Sequence, residues 1–535
     1  MQSMSNGWIN KVTQGKRRIG YGLLVSFLRT TVSGVNFFTI GQSRIGGRDV
    51  LKSSNSIVTY FEKYQMDLYS QFVNSFSVKR NLGQFPYGTL MAEADIELDN
   101  TTKKFLPGFD TTIASGILPN RPLKLSLSIE DESLKLFSGF TSQPVNTLVE
   151  RKTQIHAFDV FDYINNFETT ASGIYVNAPA HNIVASGMAE MGFTPSQYVL
   201  DRSLQSNIGF LATDGRLWGD IFRDICESEQ AIMMADETGI VRFWNRQHFL
   251  TASGIIQFQH SYSSVKNLEW QSTPIINDVI VTAKPRESTP NTTLYTLQSS
   301  QELDAGETLE LFVDFTDPNT NDPTIAITVG IPVYSATPLA TSYYSVNTAS
   351  DGSGSASADV VLLGAYSFGD RYRLTFRNNN SSASRYITAL LVVGTAALVA
   401  ETIEERAQDA TSIDLYGRNP ANNGKPLEIA NDMIQTRSDA ATLGYYLVSQ
   451  YKTPNRRYIV PVARGSDPAI QIGDIGLLRI QDTGENKLVY TVGKTDILNR
   501  NADYQQILEV EERPFINNYF TIGQSRIGGP DVIAP

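Results

Sequence analysis

Strict alternation between apolar and acidic side chains runs from Ala92 to Asp99, within the stretch Leu90–Asp99 (LMAEADIELD). Successive side chains of a strand point to opposite faces, so the pattern predicts a strand with one face buried and one face in solvent. The apolar side holds alanine, isoleucine and leucine. The acidic side, called the acidic row below, consists of Glu93, Asp95, Glu97 and Asp99.

Further strands are predicted directly downstream. Leu123–Ile129 (LKLSLSI) also alternates, a polar turn follows over 130–133, and Leu134–Phe140 is the returning strand. Together with the acidic strand, this hairpin predicts an antiparallel barrel or sandwich over about residues 55–170.

The next region mixes helix and strand. Apolar residues over Arg216–Ser228 recur at the spacing of one helix face, and Asp214 is the expected cap. Strands are predicted over Ala231–Ala235 and Ile240–Trp244, joined by a hairpin turn.

A change in composition then marks an insertion. After a strand at Val279–Ala283, the sequence predicts a polar linker from Pro285 to about Thr293. Residues 296–402 are rich in Ser, Thr, Asn and Gly between short strands such as Thr308–Phe315 and Tyr372–Arg377, which predicts an inserted β-sandwich. The apolar run Tyr386–Ala400 is interpreted as strand, turn and strand because it contains a glycine.

The parent domain resumes near residue 402. A helix is predicted over Asp439–Gln450, capped by Ser438. Strands are predicted over Gly476–Ile480, Lys487–Val492 and Gln506–Val510.

Composition limits the possible functions. With 41% apolar and 19% charged residues the chain is globular, and its net charge of −11 without a long basic run argues against tight binding of nucleic acid. Cys226 is the sole cysteine, so no intrachain disulfide forms, and the four histidines lack metal-ligand spacing. No membrane span is predicted, since Tyr386–Ala400 is shorter than the ~20 residues that a helix needs to cross a bilayer.

The segment FTIGQSRIGG occurs twice, at Phe38–Gly47 and at Phe520–Gly529. One interpretation is a docking segment that adds an extended strand to equivalent grooves, on neighbouring subunits or in successive rings. The other is a duplicated strand and turn that packs locally. The candidate docking residues are Phe38, Ile40, Arg44, Ile45, Phe520, Ile522, Arg526 and Ile527.

Several local patterns, taken in order, resemble the minor tail or hub proteins of tailed bacteriophages. They cover most of the chain apart from the insert. They are Phe76–Arg80 with Ala92–Asn100, Asn120–Leu125 with Leu136–Phe140, Asp214–Trp218 with Asp236–Phe243, and Asp414–Arg418 with Asp467-Pro468 and Ile472–Asp474.

The resemblance implies a mainly β fold with some α (α+β), in several domains. It implies two tube-like antiparallel β-barrels, so that a homotrimer would form a pseudo-sixfold ring on the tail tube. The expected division is an arm at 1–54, a first barrel at 55–170, a small α+β domain at 171–275, a second barrel at 276–290 and 403–510, the inserted β-sandwich at 296–402, and a tail at 511–535.

Two functions follow. The first is a structural hub at the virion tail tip, assembled in the host cytoplasm. It would contact the tail tube or distal tail ring and tip proteins or fibres, and let DNA pass without specific binding. The second is a receptor-binding protein whose insert recognises a cell-wall glycan.

No enzyme activity, cofactor or metal is predicted, because no catalytic motif is present. The acidic row is open to three interpretations: a solvated strand face, the lining of a channel, or acid–base or metal chemistry. Asp159 and Asp162 are expected on the surface. Trp244, Phe249 and His248 are interpreted as strand-end packing, with a sugar platform as the alternative.

Overall fold

The structure of the protein is a computed structural model. It describes residues 19–26, 66–68, 72–82, 87–106, 119–129, 132–147, 149–169, 173–213, 215–248, 255–256, 269–316, 329–332, 343–462, 468–480, 485–499 and 504–512. Both copies of FTIGQSRIGG, and therefore all eight candidate docking residues, lie outside these ranges.

Strands dominate the described residues, which confirms a mainly β fold with few helices. In chain order the strands are β1 (Ile19–Ser26), β2 (Met66–Leu68), β3 (Val73–Asn81), β4 (Gly88–Leu90), β5 (Glu93–Asp99), β6 (Pro122–Ile129), β7 (Glu132–Thr141), β8 (Val145–Thr147), β9 (Lys152–Phe158), β10 (Ile174–Ala178), β11 (Tyr198–Leu200), β12 (Ile208–Ala212), β13 (Ile232–Ala235), β14 (Val241–Trp244), β15 (Ile255–Ile256), β16 (Glu269–Ser272), β17 (Asp278–Ala283), β18 (Arg286–Thr296), β19 (Gln301–Leu303), β20 (Thr308–Asp314), β21 (Val329–Pro332), β22 (Tyr344–Asn347), β23 (Val360–Ser367), β24 (Arg371–Asn378), β25 (Arg385–Val399), β26 (Ile403–Gln408), β27 (Leu427–Ala430), β28 (Arg456–Val462), β29 (Ile475–Ile480), β30 (Glu485–Leu498) and β31 (Tyr504–Glu512).

The α-helices of the described residues are short. They are α1 (Val160–Asn165), α2 (Ala180–Glu190), α3 (Trp218–Glu229), α4 (Ala410–Tyr416) and α5 (Arg437–Tyr451). None of these helices has the length and apolar character that a bilayer crossing requires.

One sheet connects the two regions in which the sequence predicts barrels. Among the described strands it contains fourteen, and its main path runs β16-β28-β31-β30-β3-β5-β9-β7-β6-β1-β2. The link is the antiparallel pair β3–β30, in which Phe76 lies opposite Leu498 and Arg80 lies opposite Lys494. The two regions therefore share one hydrogen-bonded sheet.

The apolar side of β5 is buried, as the alternation predicts. Ala94, Ile96 and Leu98 are at most 2% exposed, and they belong to one core cluster with leucines of β6 and β7 such as Leu125 and Leu136. Burying an isoleucine or leucine side chain stabilises a fold by about 1.5–3 kcal/mol as an upper estimate. This burial fixes the register of β5, because a slip of one residue would bury the carboxylates.

Helix α3 begins at Trp218, two residues later than predicted, and the cap prediction for it fails. Its N-cap is Leu217, which has no side-chain acceptor. Leu217 forms an isolated β-bridge with Glu168, and this holds the chain extended up to the first turn. The predicted cap Asp214 lies outside the described residues. The hairpin β13–β14 that follows is confirmed.

The described residues of the insert form two sheets around one core. One joins β18, β19, β21 and β22 to β25, and the other has the order β20-β24-β23. Two predictions for this part are wrong. The polar segment after Pro285 is strand β18, which is mostly exposed and buries Leu294 alone in full. The run after Arg385 is one strand, β25, because Gly394 continues the ladder opposite Thr292.

Helix α5 begins at Arg437, so the predicted cap Ser438 lies inside its first turn. The N-cap is Thr436, whose Oγ1 accepts a hydrogen bond of 3.1 Å from the backbone N–H of Asp439. A cap must precede the first helical residue to reach the free N–H groups, which explains the difference.

Candidate functional site

The acidic row lies on the solvent side of β5, near the middle of the fourteen-stranded sheet. The side chain of Asp95 is 67% exposed, whereas that of Glu97 is 18% exposed. Strand β5 pairs with β3 on one side and with β9 on the other. The row is therefore flanked by sheet on both sides and not by a loop or cleft wall.

Neighbouring strands supply partners for the carboxylates. His156 Nδ1 lies 2.6 Å from Asp95 Oδ1, and Lys152 Nζ lies 3.2 Å from Glu97 Oε2. Asn74 Nδ2 also donates to Glu97 Oε1 at 3.2 Å. The face is consequently a pattern of acidic and basic groups with a polar surface, not a uniform band of negative charge.

The remaining members of the row have local roles. Lys79 of β3 lies opposite Glu93 in the ladder. The carboxylate of Asp99 accepts hydrogen bonds from the backbone N–H and the hydroxyl of Thr101, which stabilises the turn after β5. The alternating pattern of β5 does not predict the partners of the acidic row, because they lie on β3, on β9 and in the turn that follows β5.

A shallow open depression of about 410 Å³ lies over this face. Its lining includes Asp95, Glu97, His156, Ser77 and Ile497. Strand β30 thus contributes to the same surface as β5 and β9. The depression lacks the enclosure of a small-molecule pocket.

Within the described ranges, no group of three or more His, Cys, Asp or Glu side chains is placed to hold a metal ion. Cys226 is fully buried on α3, and burial raises the pKa of its thiol. A thiol of raised pKa is a poor nucleophile at neutral pH. Trp244 and His248 stack at 4.5 Å between ring centroids, and His248 also contacts Asp201 at 2.9 Å, which favours the packing interpretation.

The expectation that Asp159 lies on the surface is wrong. Its side chain is buried at the N-cap of α1, where it accepts 2.8 Å hydrogen bonds from the backbone N–H groups of Phe161 and Ala92. Burial raises the pKa of Asp159 to about 7, although those two bonds and nearby Arg80 favour the charged form. The local sequence does not indicate this buried position, because one partner of Asp159 is Ala92, which lies far away in the chain.

Arg80, Asp159 and Glu237 form a buried ion cluster where β3 meets the β13–β14 hairpin. Arg80 Nη1 lies 3.8 Å from Glu237 Oε1, and both side chains are at most 3% exposed. The amide of Gln471 donates to the other oxygen of Glu237. The cluster therefore links three distant parts of the sequence around one arginine.

No protein-family model matches the chain, and no curated protein matches it. Among solved structures, the 43 kDa tail protein of prophage MuSo2 from Shewanella oneidensis is 10% identical, over 83% of this chain and 95% of its own, with a TM-score of 0.41. A tail protein from Neisseria meningitidis MC58 is 7% identical, over 92% and 96%, with a TM-score of 0.44. Prophage tail protein gp18 from Listeria monocytogenes is 9% identical, over 86% and 94%, with a TM-score of 0.38. Likenesses this distant carry no conclusion about function.

Proposed function

We propose that the chain is a structural subunit of a bacteriophage tail, a hub or minor tail protein that forms a trimeric ring at the distal end of the tail tube. One observation supports this most: a single sheet joins strands from both predicted barrels and presents a broad polar face with the acidic row at its centre. The ordered sequence patterns that resemble tail hubs agree with it.

In this proposal the polar face of β3, β5, β9 and β30 lines a channel through which DNA passes. Phosphates adhere to clustered lysine and arginine side chains, and each such contact must be broken for the duplex to move. Here Lys152 and His156 are held by Glu97 and Asp95. The charge of Lys152 is offset by Glu97, so the face repels the phosphates weakly and does not retain them.

The ends of the sheet suit a ring of identical subunits. Its main path ends at β16 on one side and at β2 on the other, and within the described residues neither strand has a second neighbour. A neighbouring copy could continue the sheet there by head-to-tail pairing. Such pairing gives a closed ring when a whole number of equal rotations between copies adds up to 360°. The domain division given above is part of this proposal.

The two copies of FTIGQSRIGG are proposed to dock arms onto neighbouring subunits or tip proteins. Deleting Phe520–Pro535 should then leave a folded protein that fails to join the tail tip. Normal incorporation of that truncated chain into tails would remove the docking role.

The role is proposed to be structural and not catalytic. A general acid or base needs a carboxyl group that is available to substrate, whereas Asp95 contacts His156 and Glu97 contacts Lys152, both side chains of β9. Neutralising them should therefore alter the passage of DNA and not a reaction rate.

The mass and shape of the purified chain test the assembly. Light scattering should give three times the mass of one chain, alone or after addition of isolated tail tubes, and negative-stain images should show a three-fold ring with a hole. A chain that remains monomeric with tail tubes present would contradict the proposal.

A further inference from the structure

The outer face of the three-stranded sheet β20-β24-β23 in the insert carries an unusual group of exposed residues. Phe312 is 46% exposed, Leu363 is 50% exposed and Tyr366 is 54% exposed. The opposite face of the same sheet packs into the core through residues such as Val313 and Leu374. The outer side chains are therefore not part of the core of the insert.

Two of these residues, Phe312 and Tyr366, form a row across the sheet with Arg373 between them. Arg373 on the central strand lies directly opposite Phe312 on one side and opposite Tyr366 on the other. The two aromatic side chains are two strand spacings apart, roughly 9.5 Å. This is about the span of two linked pyranose rings.

The Tyr366 ring lies close to Gly364 of the same strand. A Cβ atom at Gly364 would lie 3.1 Å from Tyr366 Cε2, so the glycine makes room for the ring. A glycine inside a strand often marks such a close approach. The guanidinium carbon of Arg373 lies 4.7 Å from the ring centroid of Tyr366 and 5.8 Å from that of Phe368.

Arginines follow the central strand on this face. Arg371, Arg373 and Arg377 occupy alternate positions of β24. The Nε atom of Arg373 is buried and, across the described residues, has no hydrogen-bond partner, so a ligand would reach the outer Nη atoms of this guanidinium. The acidic side chains of the face, Glu310 and Asp314, lie on β20. Arg371 Nε lies 3.7 Å from Asp370 Oδ1. Arg373 and Arg377 place positive charge beside the aromatic rings of this face, in a chain whose net charge is −11.

We propose that this face binds a polysaccharide whose sugar rings carry carboxylates. Aromatic rings stack on the apolar faces of sugars, and arginine pairs with a carboxylate through two parallel N–H···O bonds. Tyr366 and Phe312 hold alternate sugar rings, and Arg373 between them binds the carboxylate. The proposal concerns the insert alone, so it stands whether or not the chain forms a ring.

The aromatic pair argues against a polymer of glycerol phosphate, which has charge but no ring to stack. The arginine row argues against a neutral glycan, which would leave the central guanidinium without a carboxylate. A second copy of the chain is the remaining occupant, and the experiment below separates it from the glycan.

Binding of the full-length protein is measured by interferometry against immobilised polygalacturonate, alginate and hyaluronate. The comparison polymers are galactan, dextran and poly(glycerol phosphate). The proposal predicts at least tenfold tighter binding to one of the acidic polysaccharides than to every comparison polymer, and weaker binding as salt rises. Equal binding to a neutral glycan or to poly(glycerol phosphate), or no binding to any acidic polysaccharide, overturns it.

Variants then test whether the polysaccharide binds to this face. Arg373→Met, and the double change Phe312→Ser with Tyr366→Ser, should each weaken binding at least tenfold. Thr375→Glu adds a negative charge beside the arginines without touching the core, and it should also weaken binding. It replaces the double variant if that protein fails to fold. The matched control is Tyr445→Ser, a change of an exposed tyrosine on α5 that should leave binding unchanged.

Sedimentation of the same variants tests the second-copy alternative. If the changes at Phe312 and Tyr366 lower the oligomeric mass and leave glycan binding intact, the face is an interface between copies and the proposal is wrong. Unchanged mass together with lost binding supports it.

Discussion

Replacing Arg80 with methionine tests the buried ion cluster that links β3 to the β13–β14 hairpin. The change keeps most of the side-chain volume and removes the positive charge that lies near Glu237 and Asp159. Removing one partner of a buried ion pair costs about 3–5 kcal/mol, because the other charge stays buried without compensation. At pH 8 we therefore expect a loss of that size in the local free energy of unfolding.

The loss should be smaller at pH 5. Burial raises the pKa of Asp159 from 3.8 to about 7, so the folded protein holds that carboxyl protonated at pH 5. A carboxyl group whose pKa is raised in the folded state stabilises the fold at pH values below its pKa in the unfolded state. This contribution is lost as the pH rises through about 7. At pH 5 Asp159 is therefore neutral and no longer needs the charge of Arg80, which leaves the pairing with Glu237. The variant consequently loses less free energy of unfolding at pH 5 than at pH 8.

Hydrogen exchange, measured peptide by peptide, reports the opening of β3, β13 and β14 separately from other parts of the chain. A loss of about 3 kcal/mol corresponds to more than a hundredfold faster exchange. The matched control is Arg223→Met, because Arg223 is 59% exposed and pairs with Asp220 at the surface. That control should change stability by less than about 0.5 kcal/mol.

Adding Glu237→Gln to Arg80→Met should recover part of the loss, since one buried charge is removed. The reasoning is refuted if Arg80→Met exchanges less than tenfold faster at pH 8, or if the loss is equal at pH 5 and pH 8.

Three further predictions use other parts of the structure. Thr436→Ala should cost about 1 kcal/mol of stability through the lost cap of α5, whereas Ser438→Ala should cost much less, as urea unfolding would show. Gly187→Ala should lower the melting temperature, because the new Cβ would lie 2.6 Å from the buried Trp218 ring. Changing the acidic row to its amides should leave the fold intact, since these side chains lie on the solvent side, and should increase retention of DNA at low salt in a filter-binding assay. Unchanged retention would count against a channel lining.

Strand β5 shows what the sequence predicts well. Its period-two pattern and its buried apolar face follow from local residues alone, because burial of Ile96 and Leu98 decides which side faces the core. The pairing of β3 with β30 could not be predicted in the same way, since its partners lie more than four hundred residues apart and no local pattern encodes that contact.

The wrong predictions have local physical causes. Strand β18 has a polar sequence because most of its side chains face solvent, so periodicity gave no signal there. Gly394 was interpreted as a turn, but a glycine can continue a ladder where the register shifts. Asp159 was assigned to the surface because its buried cap depends on the N–H of Ala92, sixty-seven positions away.

The most direct test of the central claim is an electron cryo-microscopy reconstruction of the assembled chain on its tail tube. The account predicts three copies around an open or plugged channel, with Asp95 and Glu97 of β5 facing the lumen. A ring with β5 on its outer wall, or an assembly without a central channel, would contradict it.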